Sequence, residues 1–446
     1  MFSNRDLRKL MIPLILEQLL TSLVGIADTM MVAGVGSAAV SGVSLVDAIN
    51  KVFLFVFTAL ATGGTIVCSQ FLGRQDHRNA DRAAGQVVMT SFALSVAMML
   101  VCLLLRKPML HGIFGTVEAD VMTSAEIYFY VTALSYPFLA VFYAGAALFR
   151  AAGNSRLPML ISLGANLLNV AGNALLMYVL KMGVLGAAIS TTVSFAIAAV
   201  YTMVRLCRPG QEMRITAASL APSWSMIWLV LSIGIPTGVE NAAFQVGKLM
   251  VQSTVSTLGT TAIAAHAMLI MLEGFTSTPG TAIGTGLMTV AGQCMGAGRV
   301  DEAKYYIKKL TIWSTVLLFA FNWAMFLVLR PVLGIAGLEP GATALTYSIM
   351  LVISIAKPFT WPMAFLPANG MRAAGDVRFC MVVSIISMFV MRVGLSTLLC
   401  RVMHVGLIGI WIGWIVDWGC RSIVFTIRYL GGKWTTKTVV DRAKAV

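Results

Sequence analysis

The chain contains 446 residues, of which 58% are hydrophobic and only 11% are charged. Soluble domains carry about 25% charged residues, so this composition excludes a soluble globular protein and indicates an integral membrane protein. The net charge of +14 is explained by membrane orientation, because cytoplasmic loops concentrate Lys and Arg, and we expect no nucleic-acid partner. The apolar runs have the length of membrane helices rather than of barrel strands, which predicts an all-α fold.

The sequence lacks the motifs of several other protein classes. The seven cysteines form no CxxC motif, and the four histidines are scattered without an HExxH motif. No GxxxxGK[ST] phosphate-binding loop occurs in the chain. We therefore expect no disulfide, no metal site and no cofactor, and neither an intramembrane enzyme nor an ATP-driven pump.

Twelve apolar segments are long enough to cross a bilayer, since about 20 mostly apolar residues span a hydrocarbon core of about 30 Å. They cover residues 12–33, 43–70, 84–105, 123–149, 157–180, 184–206, 225–257, 261–293, 305–329, 342–371, 379–403 and 406–430. With the N-terminus in the cytoplasm, 22 of the 32 basic residues fall on cytoplasmic segments or helix ends. Five fall on the external side of the membrane, and the remaining five lie within the spans. This asymmetry predicts that both termini are cytoplasmic.

The two halves of the chain are similar when one is shifted by 223 residues. Pro13 followed by Glu17 then matches Pro236 followed by Glu240, and an RAAG motif recurs near the end of the fourth span of each half. Each half holds an even number of spans, so the halves have the same membrane orientation and form a parallel repeat. We predict twelve transmembrane helices in two pseudo-symmetric six-helix bundles.

The predicted domains follow from this repeat and from one polar linker near the middle of the chain. They are an N-terminal six-helix lobe at 1–206, a cytoplasmic linker at 207–223, a C-terminal six-helix lobe at 224–430 and a cytoplasmic tail at 431–446.

The first apolar span carries two carboxylates, Glu17 and Asp28, on nearly the same helical face. An acid at the centre of a membrane helix costs about 3 kcal/mol on insertion scales, so it should face a protein interior or a water-filled cavity. We predict that Asp28 exchanges a cation in such a cavity. Glu17 is either a second coupling group or a structural acid, since its repeat partner is Glu240 whereas that of Asp28 is Val251.

Further charged residues lie inside other spans. Asp47 and Lys51 are four residues apart, as are Asp417 and Arg421, and we expect each pair to interact locally. The second half also contains four charges that form either a structural ion-pair network or contacts with substrate. These are Glu240, Lys248, Glu273 and Lys357.

The ordered set of motifs over the whole chain resembles the multidrug and toxic compound extrusion (MATE) family of transporters. These motifs are IPLILEQ, GIADTMMVAGVG, GTIVCSQFLGR, FRAAGNSRLP, NVAGN, GVLGAAISTTVS and LIGIWIGWIVDWGCRS. The resemblance implies an antiporter in a bacterial plasma membrane that exports lipophilic organic cations in exchange for inward H+ or Na+. Its partners would be a small-molecule substrate and the lipid bilayer, and we expect a monomer.

The resemblance also implies roles for single residues. Asp28 matches the coupling acid of the first helix, and Pro13 matches a proline about which that helix bends during gating. Asn169, Asn173 and Thr191 match a polar network around the coupling ion. Since these partners are neutral, Asp28 would be the only titrating group of its pocket. Lys357 departs from the family pattern, because some members carry an acid in that helix.

The sequence leaves one alternative function open. A lipid or lipid-linked oligosaccharide flippase of a related superfamily would share the helical architecture. Such a protein needs a large cationic groove for a pyrophosphate head group, whereas only five basic residues lie within the spans away from the helix ends.

Overall fold

The computed structural model describes residues 1–115, 117–436 and 438–439, and these residues form a helical protein. The α-helices are α1 (Asn4–Ala33), α2 (Ser37–Gly73), α3 (His77–Phe114), α4 (Ala119–Leu134), α5 (Tyr136–Ala151), α6 (Arg156–Asn173), α7 (Gly183–Cys207), α8 (Trp224–Ser256), α9 (Thr260–Gly296), α10 (Val300–Leu327), α11 (Leu329–Ala336), α12 (Pro340–Ala374), α13 (Val377–Ser387) and α14 (Leu407–Leu430). Three π-helical segments extend α6 and α13, namely Ala174–Val179, Met388–Leu395 and Leu398–Val402.

The predicted all-helical membrane architecture is confirmed. Among the described residues, ten helical stretches are long and apolar enough to cross a membrane, and the pair α4 and α5, bent by 48°, adds an eleventh. The predicted span 261–293 lies on α9, which is not among these apolar helices. This helix has 37 residues, but its sequence is rich in Thr, Ser and Gly. The predicted count of twelve is therefore approximately matched.

The chain divides into two compact units, residues 2–238 and residues 239–439, and the division falls inside α8. The predicted linker 207–223 packs on α3 of the first unit. The Gln86 amide nitrogen donates to the carbonyl oxygens of Ser219 (2.9 Å) and Ala221 (2.8 Å), and its oxygen accepts from the backbone N–H of Ser223 (3.0 Å). The predicted domain limits remain predictions, and residues 437 and 440–446 of the predicted tail lie outside the described residues.

In the first unit, α2 packs against α3, α4 and α5. Small residues allow this close approach. A Cβ atom added at Gly64 would lie only 2.7 Å from a methyl carbon of Val87 on α3. Glycine at this position therefore lets the two helices come together, as small residues commonly do in membrane helix packing.

In the second unit, α12 packs against α9, α10 and α14. The fully buried carboxylate of Asp417 on α14 joins this helix to the π-helical segment after α13. It accepts hydrogen bonds from Ser387 (2.5 Å), Arg392 (2.6 Å to Nη2) and Arg421 (2.8 Å). The predicted pairing of Asp417 with Arg421 is confirmed, and Arg392 adds a contact between helical segments.

Each unit contains the same ion pair between its first helix and the end of a later helix. Glu17 of α1 binds Arg150 of α5 at 2.7 Å, and Glu240 of α8 binds Arg372 of α12 at 2.6 Å. All four side chains are largely buried. The two glutamates and the two arginines belong to the motifs that recur in the sequence, so the repeat preserves a structural clamp.

We predict that Arg150→Ala destabilises the protein by about 3–5 kcal/mol, because it leaves the Glu17 carboxylate buried without its partner. Thermal unfolding of the purified protein in detergent measures the effect. Arg156→Ala is the matched control, since Arg156 is exposed at the start of α6. Equal melting temperatures for the two variants would contradict a structural role for the clamp.

Candidate functional site

The Asp28 carboxylate meets side chains of α6 and α7 inside the first unit. Its Oδ1 atom accepts a hydrogen bond from Asn173 Nδ2 at 3.0 Å. The Asn169 amide lies 3.0 and 3.1 Å from the two carboxylate oxygens and is best satisfied when its nitrogen donates to them. In that orientation its oxygen accepts from the Thr191 hydroxyl at 3.0 Å. The structure thus brings together all four residues that the resemblance placed around the coupling ion.

The positions of the two asparagines follow from the packing of α6 on α7. Asn169 and Asn173 are one helical turn apart, and they are 6% and 2% exposed. A Cβ atom added at Gly172 would lie 2.3 Å from Ser190 Oγ, and this hydroxyl donates to the Asn169 carbonyl at 2.8 Å. Gly172 therefore sets the separation of the two helices at the level of the network.

Directly after Asn173, the α-helical hydrogen bonding of α6 gives way to the π-helical segment Ala174–Val179. Segments of this kind are rare and occur frequently at functional sites. The wider helical turn lies next to the residue that binds Asp28.

A cavity of about 230 Å³ opens beside Asp28 within the first unit. Its wall includes Gly25 and Asp28 of α1, Asp47 of α2, Asn173 of α6 and Thr191 of α7. A Cβ atom added at Gly25 would have no heavy atom within 4 Å, which shows that this face of α1 borders open space. The carboxylate is therefore partly buried but accessible to a small ion.

Asp28 differs from other acids of the helices in the charge of its partners. Glu17, Glu240, Glu273 and Asp417 each form an ion pair with Arg or Lys. Among the described residues, Asp28 forms no ion pair, and its hydrogen-bond donors are neutral amides. A partly desolvated carboxylate without a basic partner is stabilised by binding a cation.

One expectation about charge near this cavity is wrong, and a second is met only in part. Asp28 is not the only titrating group, because Asp47 lines the same cavity. Asp47 and Lys51 interact electrostatically, as expected, but among the described residues they form no direct ion pair; the Asp47 carboxylate is hydrogen-bonded by Asn50 and accepts from the Tyr128 hydroxyl at 3.5 Å. The spacing permits a pair but does not require one, since two groups that border a cavity can be solvated separately and gain little from contact.

Glu17 and Pro13 lie on α1 outside this network. Glu17 is occupied by Arg150, which favours the structural alternative, and its role as a coupling group stays a prediction. Pro13 is inside α1, which continues from Asn4 to Ala33. A proline within a helix removes one backbone hydrogen bond, so this position is suited to bending.

The four charges singled out in the second unit lie in different surroundings. Lys357 is fully buried; its ammonium lies 3.2 Å from Glu273 Oε1 and donates to the Thr276 hydroxyl at 2.8 Å. Glu240 binds Arg372, and Lys248 lies on an exposed face of α8. These contacts favour a structural network over substrate contact, which stays a prediction.

Comparison with known proteins identifies the family. A family model described as MatE matches residues 13–175 and again residues 236–398. The chain belongs to the MatE family. The first residues of the two matches, 13 and 236, are displaced by the same interval as the repeat in the sequence. This family membership confirms the resemblance to the MATE transporters.

Relatives of this MATE chain match it along nearly its whole length. "Probable multidrug resistance protein NorM" of Thermotoga maritima is 27% identical over 99% of this chain and 95% of that protein. "Uncharacterized transporter YisQ" of Bacillus subtilis is 26% identical over 95% of this chain and 94% of that protein. Both relatives are bacterial.

Solved MATE structures share the fold. An outward-facing MATE transporter of the MOP superfamily has a TM-score of 0.90 at 19% identity, covering 97% of this chain and 96% of that chain. A MATE crystal structure in complex with MaL6 has a TM-score of 0.89 at 19% identity, covering 97% of both chains.

We predict that Gly172→Ala lowers stability by about 1–3 kcal/mol, because the added methyl group collides with Ser190. It should also reduce transport by separating Asn169 from Thr191. Gly164→Ala on the same helix is the matched control, since a Cβ atom there would have no heavy atom within 4 Å. Export from proteoliposomes and thermal unfolding measure the two effects. Wild-type export by Gly172→Ala would show that this helix spacing is unimportant.

Proposed function

We propose that this MATE protein is a secondary antiporter that exports lipophilic organic compounds carrying a cationic group in exchange for inward H+ or Na+. The observation that carries the proposal is the Asp28 carboxylate, which lies beside a cavity and receives only neutral hydrogen-bond donors. Such a group requires a cation while it is away from water and can release that cation when the site is rehydrated. It therefore has the property that ion coupling needs.

The surrounding residues position this carboxylate. Asn173 and Asn169 donate to it, and Thr191 orients the Asn169 amide. These donors stabilise the charged form after the cation leaves. The oxygens of the same side chains are also hard ligands of the kind that Na+ accepts, so the arrangement suits either ion.

The transport cycle follows from this exchange. Asp28 accepts its cation from the outside in one arrangement of the two lobes, and loading reshapes α1 near Pro13 and expels the substrate. Release of the cation to the cytoplasm resets the lobes. Inward movement of one charge yields about 2.3 kcal/mol per 100 mV. For a substrate without net charge, this energy alone supports an export gradient of about fiftyfold, since about 1.4 kcal/mol corresponds to tenfold; export of a monovalent cation in the same exchange moves no net charge and instead uses the concentration gradient of the coupling ion.

The relatives support export as the direction of transport. Several carry names such as "Probable multidrug resistance protein NorM" and "Multidrug export protein MepA". These names favour transport over catalysis and do not favour the flippase alternative. The bacterial relatives support a location in the plasma membrane. The proposed orientation places both termini in the cytoplasm, and the protein acts as a monomer.

We predict that Asp28→Asn abolishes substrate export while the fold is retained, because the amide is isosteric with the carboxylate but cannot exchange a cation. Export is measured in proteoliposomes with a pH gradient and a sodium gradient imposed separately, which also identifies the coupling ion. Asp120→Asn, an exposed acid of the first turn of α4, is the control and should export normally. Export by Asp28→Asn at the wild-type rate would refute the proposal.

A further inference from the structure

An apolar groove runs between α6 and α7 on the surface of the first unit, and its wall shares no residue with that of the Asp28 cavity. It has a volume of about 280 Å³. Its rim carries large side chains that are nearly half exposed, namely Leu160 (48%), Leu168 (46%), Ile197 (49%) and Tyr201 (46%). No other described part of the chain covers them, so in a membrane this groove opens to lipid.

The length of this α6–α7 groove matches the thickness of one lipid leaflet. The groove follows α6 from Leu157 to Leu168, which is about 17 Å at roughly 1.5 Å per residue. One leaflet accounts for about 15 Å, half of the hydrocarbon core. Buried alanines, Ala165 and Ala198, line the groove between these larger side chains and leave it deep. An acyl chain that lies along the two helices therefore fits the groove.

Positive charge continues the groove at the end of α7. Arg205 lies four residues after Tyr201 and seven after Ala198, so it extends the helical face that lines the groove. Its Nε atom is buried and has no hydrogen-bond partner, and Arg205 forms no ion pair among the described residues. Arg208 follows at the exposed end of the helix. A buried donor without a partner is costly, and an anionic group placed here would satisfy it.

We propose that the α6–α7 groove binds one anionic phospholipid, with an acyl chain between the helices and the phosphate against Arg205 and Arg208. The order of groups along α7 matches that of a phospholipid, because the apolar Ile197 is followed by the amphipathic Tyr201 and then by the arginines. Tyrosines concentrate at the membrane–water interface, and basic pockets between membrane helices bind anionic head groups. In the proposed orientation the site lies in the cytoplasmic leaflet. It does not depend on the proposed export.

Native mass spectrometry of the purified full-length protein, freed of lipid in detergent, tests the inference with a matched pair of lipids. Phosphatidylglycerol and phosphatidylcholine with the same acyl chains differ in the net charge of the head group. Wild-type protein should bind one phosphatidylglycerol about tenfold more tightly than phosphatidylcholine, as expected for hydrogen bonds to a charged group. Equal affinities for the two lipids would overturn the proposal.

The same titration separates a lipid from the other possible occupants. Glycerol phosphate carries the anionic group without acyl chains and should not displace bound phosphatidylglycerol. Displacement at equal concentration would show a site for free phosphate. A dimer that takes up no phosphatidylglycerol would show that a second copy of the chain covers the groove. Either result would contradict the lipid assignment.

Charge variants test the position of the phosphate. Arg205→Gln should weaken phosphatidylglycerol binding by about tenfold and leave phosphatidylcholine binding unchanged, whereas Arg205→Lys keeps the charge and should retain most of the preference. Arg78→Gln is the matched control, since it removes an exposed arginine from the start of α3, next to the segment that follows α7. Equal losses in Arg205→Gln and Arg78→Gln would indicate unspecific attraction and contradict the assignment.

Thermal unfolding provides a second readout that also shows whether the variants fold. Without lipid, Arg205→Gln should melt at the wild-type temperature, because Arg205 has no ion-pair partner to lose. Phosphatidylglycerol should raise the melting temperature of the wild-type protein, since it binds the folded state and bridges α6 and α7. The increase should be much smaller for Arg205→Gln at the same lipid concentration. Equal increases for the two proteins would show that the lipid does not bind at Arg205.

Discussion

The absence of a basic partner for one desolvated carboxylate is the constraint on which the functional interpretation depends. Within the described residues, Asp28 is surrounded by the amides of Asn169 and Asn173 and by open cavity. A permanent Arg or Lys partner would neutralise the acid at all times and remove its need for an exchangeable cation. Neutral donors orient the carboxylate and stabilise its charge only in part, so its occupancy can respond to water and to ions.

The repeat clarifies which acids have a structural role. Glu17 and Glu240 occupy equivalent positions, and each binds an arginine that is itself repeated, at 2.7 and 2.6 Å. Asp28 is matched by the apolar Val251. Duplication has therefore kept the clamp in both halves, while the free acid exists in one half only. The second unit instead contains buried positive charge, since Asp417 alone binds both Arg392 and Arg421.

Much of this architecture could be predicted from the sequence. Apolar length predicted the helices, and the recurring Pro-x3-Glu and RAAG motifs predicted the repeat, because periodicity and spacing are local properties. The resemblance to the MATE family predicted that Asp28, Asn169, Asn173 and Thr191 form one polar network. The partner of Glu17 was missed, although Glu17 and the Arg150 motif were both found in the repeat, since the sequence does not show which helices touch. The cavity position of Asp47 was missed for the same reason, because helical spacing alone favoured a local pair with Lys51.

The most direct test of the central claim is to count the cations released when substrate binds to the purified protein. Proton release can be followed with a pH indicator, and sodium release by equilibrium dialysis with radioactive sodium. Wild-type protein should release about one cation per bound substrate, as expected when opposing ligands stabilise different states of one carboxylate, and Asp28→Asn should release none. Equal release by the two proteins would show that the exchanging group lies elsewhere.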